Sequence, residues 1–278
     1  MAGEASLLYH YTSLEGLKGI LSTRKIWASD ILYLNDSAEF NYAVDLLLSI
    51  SKEKYSMVSS RSSFLNYIEW WAQTRVVPSV YVMAFSTESD QLSQWRGYCP
   101  LAGGFNIGFG HEKLKKYFES KEAKLDRCIY NVDEQFDFLD ELAQEIYSSY
   151  QVYEEGKKFM DLTLEQKTER AGKFRDLLQK VLKLAPRIKH PSFSEENEWR
   201  LVIKGSVPEK KNVQYRISRS LLIPYVEVGP IDPDCFSQII VGPCPHIDLS
   251  RQSVERFVRA TLDKKIEVTT SKIPYRNW

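Results

Sequence analysis

Several features that would announce a function at once are missing from this chain of 278 residues. No run approaches the roughly 18 to 20 consecutive apolar residues that span a bilayer. The start, "MAGEASLLYHYTS", has no basic region followed by a long apolar stretch, so no secretory leader is read there. Charge of one sign is not in excess, since 37 Lys and Arg stand against 37 Asp and Glu. No overall field draws the chain onto nucleic acid or an anionic membrane, and any such binding would need a local patch. The four cysteines, Cys99, Cys128, Cys235 and Cys244, show no CxxC spacing. Buried thiols of an intracellular protein explain them better than a disulfide framework. Neither GxGxxG nor GxxxxGK[ST] occurs, which excludes the Rossmann and P-loop ways of holding phosphate. Internal repeats and low-complexity linkers are absent as well. The chain reads as soluble and cytoplasmic, with no membrane partner.

What is present is apolar enough to fold: 43 % of residues are hydrophobic and 13 % aromatic, which supports a substantial core. "SLEGLKGILST" carries Leu14, Leu17, Ile20 and Leu21 at helical spacing, with Ser13 as N-cap. "KIWASD" reads as a short strand. "LNDSAEF" leads into a helix with Phe40, Ala43, Leu46 and Leu47 on one face, and Phe64 to Ala72 reads as another helix. "PSVYVMAFS" is a strand, "ESDQLSQWRGY" a helix, and "GGFNIGF" a strand with a tight entry turn. Residues from about 132 to 186 differ in kind: charged and nearly free of Gly and Pro, with apolar residues at helical spacing. They read as a helical insertion. Strands return in "EWRLVIKG", "VQYRI", "IPYVEVG" and "FSQIIVGP", followed by a helix over about Leu249 to Leu262 and a last strand, "KIEVTTSKIPY". Strands at both ends with helices between give an α+β fold class.

Four places carry residues suited to chemistry. His10 and Thr12, in "LYHYTS", end an apolar run just before a helix, in a chain with only four histidines. In "FSTESDQLSQWRGYCP" a strand closes on Ser86 and is followed by Trp95, Arg96 and Tyr98, aromatics that could equally be core. In "HPSFSEENEWRLV" three glutamates precede a strand, and Glu198 opens that strand beside Trp199, where a carboxylate can be desolvated and aimed into a cleft. In "YLNDSAEF", Asn35 and Asp36 are candidates, with helix capping by Asp36 or Ser37 as the plainer role. Cys244, His246 and Asp248 alternate in "PCPHID", but a Pro-rich turn with three possible ligands reads as an ordinary loop, and no metal is expected. A nuclease built on Asp36, Glu39 and Glu198 would lack ligand spacing.

In order, these segments resemble ADP-ribosyltransferases of the His-Tyr-Glu type: His-x-Thr before a helix, a strand ending in Phe-Ser with Tyr-Cys about a dozen residues later, and Asn-Glu-aromatic opening a late strand. "HYTSLEGLKGIL", "LNDSAEF", "FSTESDQLSQWRGYC", "ENEWRLV", "IIVGP" and "SKIPYR" further resemble the bacterial domain-of-unknown-function family 2971 (DUF2971). The resemblance implies a split β-sheet core flanked by helices, as a single domain over 1–278 carrying the insertion. It implies NAD as substrate, with Glu198 stabilising an oxocarbenium-like ribose as the nicotinamide bond breaks. It implies His10 on the adenosine-side ribose, supported by Thr12, and Tyr98 stacked on nicotinamide. Ser86, Asn35 and Arg96 are further dinucleotide-binding candidates, Arg96 or Arg24 pairing with the pyrophosphate. The chain departs from the type in having Ala84 where a tyrosine usually precedes Phe-Ser, with Tyr81 three positions earlier, and "TRK" where a glycine usually closes the first helix. Glu196, two before Glu198, matches an acidic residue of arginine-modifying members, and on a strand both would face one side. The expected function is an NAD-dependent ADP-ribosyltransferase or NAD glycohydrolase, acting as a bacterial toxin or anti-phage defence effector. Its acceptor, protein or nucleic acid, is left open, and an antitoxin or defence-system partner is expected. The alternative is a non-catalytic nucleotide- or partner-binding domain on the same scaffold.

Overall fold

The structure is a computed structural model that describes residues 6–34, 37–55, 69, 80–100, 103–121, 123–154, 163, 165, 180–181, 183–204, 212–218 and 220–274. The chain divides into two compact units, one of residues 1–30, 81–127 and 195–278, the other of residues 31–80 and 128–194.

The first unit is built on strands β1 (Leu7–Thr12), β2 (Ile26–Asp30), β3 (Val80–Ser86), β4 (Phe105–Gly110), β5 (Lys124–Arg127), β6 (Glu198–Lys204), β7 (Val213–Ser218), β8 (Leu221–Val228), β9 (Phe236–Val241) and β10 (Glu267–Thr270). They form an open mixed sheet in the order β10-β9-β4-β1-β3-β2-β8-β7, with β6 joining at β3 and β5 at β6. The helices, in chain order, are α1 (Leu14–Thr23), α2 (Ser37–Tyr55), α3 (Leu92–Tyr98), α4 (His111–Glu119), α5 (Val132–Glu154) and α6 (Ile247–Leu262). Of these, α2 and α5 belong to the second unit. The α+β class expected from the sequence is what the chain adopts.

Local chemistry sets the elements that matter for the site. Ser13 caps α1 by accepting from the Gly16 N–H at 3.1 Å, and Leu17, Ile20 and Leu21 bury the apolar face of the helix. Its end is closed by Arg24 in the left-handed region, φ 54°, with its N–H on the Ile20 carbonyl at 2.7 Å. That is the geometry a glycine usually supplies, here adopted by the arginine of "TRK". The core beneath the sheet gathers Leu8, Phe85, Ile107, Phe109, Phe236 and Ile239, each worth about 1.5–3 kcal/mol when fully buried.

One irregularity of the sheet creates the cleft. β1 pairs with β4 along its whole length, from Leu7↔Gly110 to Thr12↔Phe105, but with β3 only at Tyr9↔Ser86. β3 gives its other bonds to β2, at Ser29↔Val82 and Asp30↔Tyr81, and to β6. Beyond the single β1–β3 pair the backbone groups of the two strands lack one another as partners, and side chains must meet them.

The second unit packs α2 against α5. Ala43, Leu47 and Ile50 are buried on one helix, and Leu139, Leu142, Ala143 and Ile146 on the other. Tyr55 stacks on Tyr147 at 4.2 Å, and Lys54 pairs with Asp140 at 2.6 Å. Gln135, fully buried, donates through Nε2 to the carbonyls of Ile129 and Lys189, each at 2.7 Å. That amide ties the start of α5 to the returning chain. Of the stretch at about 132–186 expected as a helical insertion, α5 covers Val132–Glu154; most of 155–179 lies outside the described residues, as does most of the helix expected at Phe64 to Ala72.

Candidate active site

The gap between β1 and β3 is filled by a histidine. His10, near the end of β1, lies 3.0 Å through Nδ1 from the carbonyl oxygen of Ala84 on β3. A carbonyl only accepts, so Nδ1 carries the proton and Nε2 is left as an acceptor. Burial pushes the imidazole below its ordinary pKa of 6.5, against the smaller opposing effect of the Ala84 bond. His10 is therefore a neutral, oriented acceptor at neutral pH.

Around it lies a narrow cleft of ≈ 40 Å³ whose walls include His10, Ser86, Gln94, Tyr98, Glu196 and Glu198. Three separate segments of chain supply these groups. Gln94 and Tyr98 are one helical turn apart on α3 and so share a face. Gln94 is buried, whereas Tyr98 is 39 % exposed. The helix is anchored by Trp95, which packs edge-on against Tyr11 at 4.7 Å and donates through Nε1 to Asp90 at 2.8 Å. Asp90 also accepts from the Ser271 hydroxyl at 2.6 Å and the Lys272 N–H at 2.7 Å. The "SKIPY" segment thus braces the loop that carries α3.

The acidic wall is held from the other side. Ser86 donates to the Glu196 carbonyl at 2.7 Å and accepts from the Glu88 N–H at 3.0 Å. The Thr87 N–H donates to the Asn197 carbonyl at 3.1 Å. Asn197 sits at φ 44°, a conformation that asparagine tolerates better than most residues. It ends a 3₁₀ turn (Pro191–Glu196) and lets β6 begin at Glu198. Glu198 is buried at 4 % exposure and takes two bonds from Arg200, Nε to Oε1 at 2.6 Å and Nη2 to Oε2 at 3.2 Å.

The expected site residues are therefore distributed as follows. His10, Ser86, Tyr98 and Glu198 line one cleft, although the hydroxyl of Ser86 is engaged with backbone and its service is to fix the turn before Glu198. Glu196 reaches the same cleft, but from the 3₁₀ turn and not from a strand, so the same-face argument does not apply to it. Thr12 lines a second, larger cavity of ≈ 400 Å³ that also touches His10. Arg24 and Arg96 line neither cavity. Asn35 and Asp36 lie outside the described residues. Ala84 lends its carbonyl to His10, while Tyr81 is buried in the core; the aromatic residues at this cleft are Tyr98 of α3, Phe85 of β3, and Tyr9 and Tyr11 of β1. Desolvation pushes the thiol of Cys99, next to Tyr98, up to about 12, which disfavours the thiolate that a nucleophile needs. Among the described residues no group of three or more His, Cys, Asp or Glu side chains is placed to hold a metal ion, and no helix is long and apolar enough to cross a membrane.

Sequence reasoning missed Arg200. The signal was present in "EWRLV", where residues two apart on a strand share a face and an acid and a base so placed can pair. It also missed Gln94.

Residues 94–201 match the model of a family described as "Protein of unknown function (DUF2971)". The match takes in Gln94, Tyr98, Glu196, Glu198 and Arg200, and it supports the resemblance to that family; His10 lies outside the matched stretch. No curated protein and no solved structure is significantly similar to the chain.

Proposed function

We propose that the protein cleaves the bond between nicotinamide and ribose in NAD, as an ADP-ribosyltransferase or an NAD glycohydrolase. The observation that carries this is the meeting of His10, Tyr98 and Glu198, from three distant parts of the chain, on one cleft. Each has a chemical task there. As the C1′–N1 bond breaks, its electron pair leaves with nicotinamide and positive charge develops on the ribose. A fixed carboxylate stabilises that charge more in the transition state than in the ground state. Glu198 is fixed by Arg200. The ring of Tyr98, partly exposed and lining the cleft, offers a π face to the flat cationic nicotinamide. His10 Nε2, an acceptor, suits a ribose hydroxyl. Attack by water on the ribose carbon then gives ADP-ribose and releases a proton; attack by a macromolecular nucleophile gives the ADP-ribosylated acceptor. Either outcome is chemistry that a toxin or a defence effector could use, by exhausting NAD or by modifying a target.

The test is direct. Purified protein is incubated with NAD, nicotinamide is quantified, and the mixture is searched by mass spectrometry for free ADP-ribose and for additions of ADP-ribose to the protein, to cell extract proteins and to nucleic acid. Nicotinamide release with one of these products is expected. NAD binding without release would favour a non-catalytic binding domain.

A further inference from the structure

The second cavity adjoins the cleft at His10, which lines both. It is about tenfold larger, ≈ 400 Å³ against ≈ 40 Å³, and its walls come from α1, β2 and the β7–β8 hairpin. We propose that this cavity seats the phosphate-bearing half of a nucleotide, with Arg216 as the phosphate partner and the exposed face of Trp27 as the platform for the base. The inference deepens the reading above by taking the ADP half of NAD as the occupant.

Arg216 carries the argument. It stands on β7, partly buried, and its only hydrogen bond among the described residues is a long one, from Nη2 to the Ser29 hydroxyl at 3.5 Å. No carboxylate among the described residues forms an ion pair with it. Burial lowers its pKa, and the group that opposes the shift is Tyr225. A guanidinium that is partly stripped of water without a counter-ion recovers that cost when an anion arrives, and its fork of N–H donors fits phosphate oxygens in pairs.

The other charges at the cavity are already committed. Lys25 is paired with Glu227 at 2.8 Å, which holds Glu227 below the usual carboxylate range. Glu15 lies in the first turn of α1, where it is held low by its own backbone N–H and by Ser13 and offsets the helix dipole. His10 is neutral. Among the described residues, Arg216 is thus the one formal charge at this cavity without an opposite charge or a helix end to answer it.

Trp27 supplies the apolar element. One face of its indole stacks on Tyr225 at 4.4 Å with the rings 30° apart, yet the residue is 49 % exposed. A large ring held against a neighbouring ring and half exposed at a cavity wall is a surface on which a nucleobase can stack. Opposite, α1 presents Gly19, at which an added Cβ would meet nothing within 4 Å. A ligand that runs from the Glu198 cleft past His10 into this cavity has room for its second half.

Isothermal titration with ADP, and separately with adenosine, tests the assignment on wild type, Arg216→Gln, Gly19→Phe and, as a control at an exposed residue of α6, Arg259→Gln. Gly19→Phe fills the cavity from an exposed helical position, so it blocks the ligand without disturbing the core. Wild type is expected to bind ADP, and Arg216→Gln and Gly19→Phe to weaken it tenfold or more. Arg259→Gln should leave ADP affinity unchanged, and adenosine should feel Gly19→Phe but not Arg216→Gln. Wild type without ADP affinity up to millimolar concentration, or ADP affinity indifferent to Arg216→Gln or to Gly19→Phe, would overturn the assignment. Arg216-dependent ADP binding without nicotinamide release would uphold this cavity and overturn the cleavage reaction; nicotinamide release with ADP binding unaffected by Arg216→Gln would do the reverse.

Discussion

Glu198 and Arg200 face each other on one side of β6, joined by two bonds at 2.6 and 3.2 Å, with their side chains only 5 % and 4 % exposed. A bidentate, charge-assisted pair of this kind fixes the plane of the carboxylate as well as its place. It also makes each partner depend on the other, because removing one takes from a buried charge its bidentate counter-ion.

Arg200→Met is therefore expected to cost on the order of 3–5 kcal/mol in urea unfolding. Arg200→Lys, which keeps the charge but loses the fork, should cost less. Combining Arg200→Met with Glu198→Gln should restore part of the loss, since the orphaned charge is gone. A loss below about 1 kcal/mol for Arg200→Met alone would show that water reaches the pair.

His10 gives the acid side of the pH profile. Its folded-state pKa lies below its ordinary 6.5, chiefly through burial. Above 6.5 both folded and unfolded chains hold it neutral, and the full stability is present. As the pH falls below 6.5 the unfolded chain takes up the proton first, so stability declines until the folded-state pKa is passed. The difference in unfolding free energy between wild type and His10→Gln, measured from about pH 7.5 to pH 5, should shrink toward acid. NAD affinity should stay flat through that window, where folded His10 is still neutral, and fall only as the pH reaches the folded-state pKa and Nε2 ceases to accept. A difference that is constant with pH would mean that the imidazole titrates alike in both states.

Two glycines separate packing constraint from conformational cost. Gly19, exposed in α1 with open space where a Cβ would sit, should tolerate Gly19→Ala with a gain of about 0.5–1 kcal/mol in helix stability. At Gly104 an added Cβ would collide with the Sγ and Cβ of Cys99. Gly104→Ala should lower stability by about 1–3 kcal/mol through overpacking. Thermal unfolding of the two variants should therefore move in opposite directions.

Much of this layout is legible in the chain itself, and the exceptions have physical causes. Alternating or continuous apolar runs mark β3, β4 and β9 plainly, and Ser13 marks the start of α1. The helix α4 and the strand β5 are hidden because "HEKLKKYFESKEAKLDR" offers little but Leu114, Phe118, Ala123 and Leu125 to the core, too few for a period to show. The left-handed end of α1 at Arg24 is hidden for another reason: propensity expects glycine there, and tertiary contacts decide otherwise, the Arg24 carbonyl being held by the Ile231 N–H at 2.6 Å. In the cleft, single residues such as His10 and Glu198 stand out by type and context. What sequence spacing does not carry is which charges are paired. Arg200 is committed to Glu198, and Arg216, placed by a hairpin far along the chain, is not.

The central claim is that Glu198 acts on the breaking bond. Nicotinamide release at saturating NAD by wild type, Glu198→Gln and Glu195→Gln tests it, with thermal unfolding recorded for each to establish that the protein is folded. Glu195 is an exposed residue of the 3₁₀ turn whose carbonyl, not its carboxylate, is used, by Gln91 Nε2 at 2.9 Å; its replacement serves as the control. Glu198→Gln keeps the shape and removes the charge, and kcat is expected to fall by about 100-fold or more, while Glu195→Gln stays within a few-fold of wild type. Equal rates for wild type and a folded Glu198→Gln would contradict the catalytic assignment.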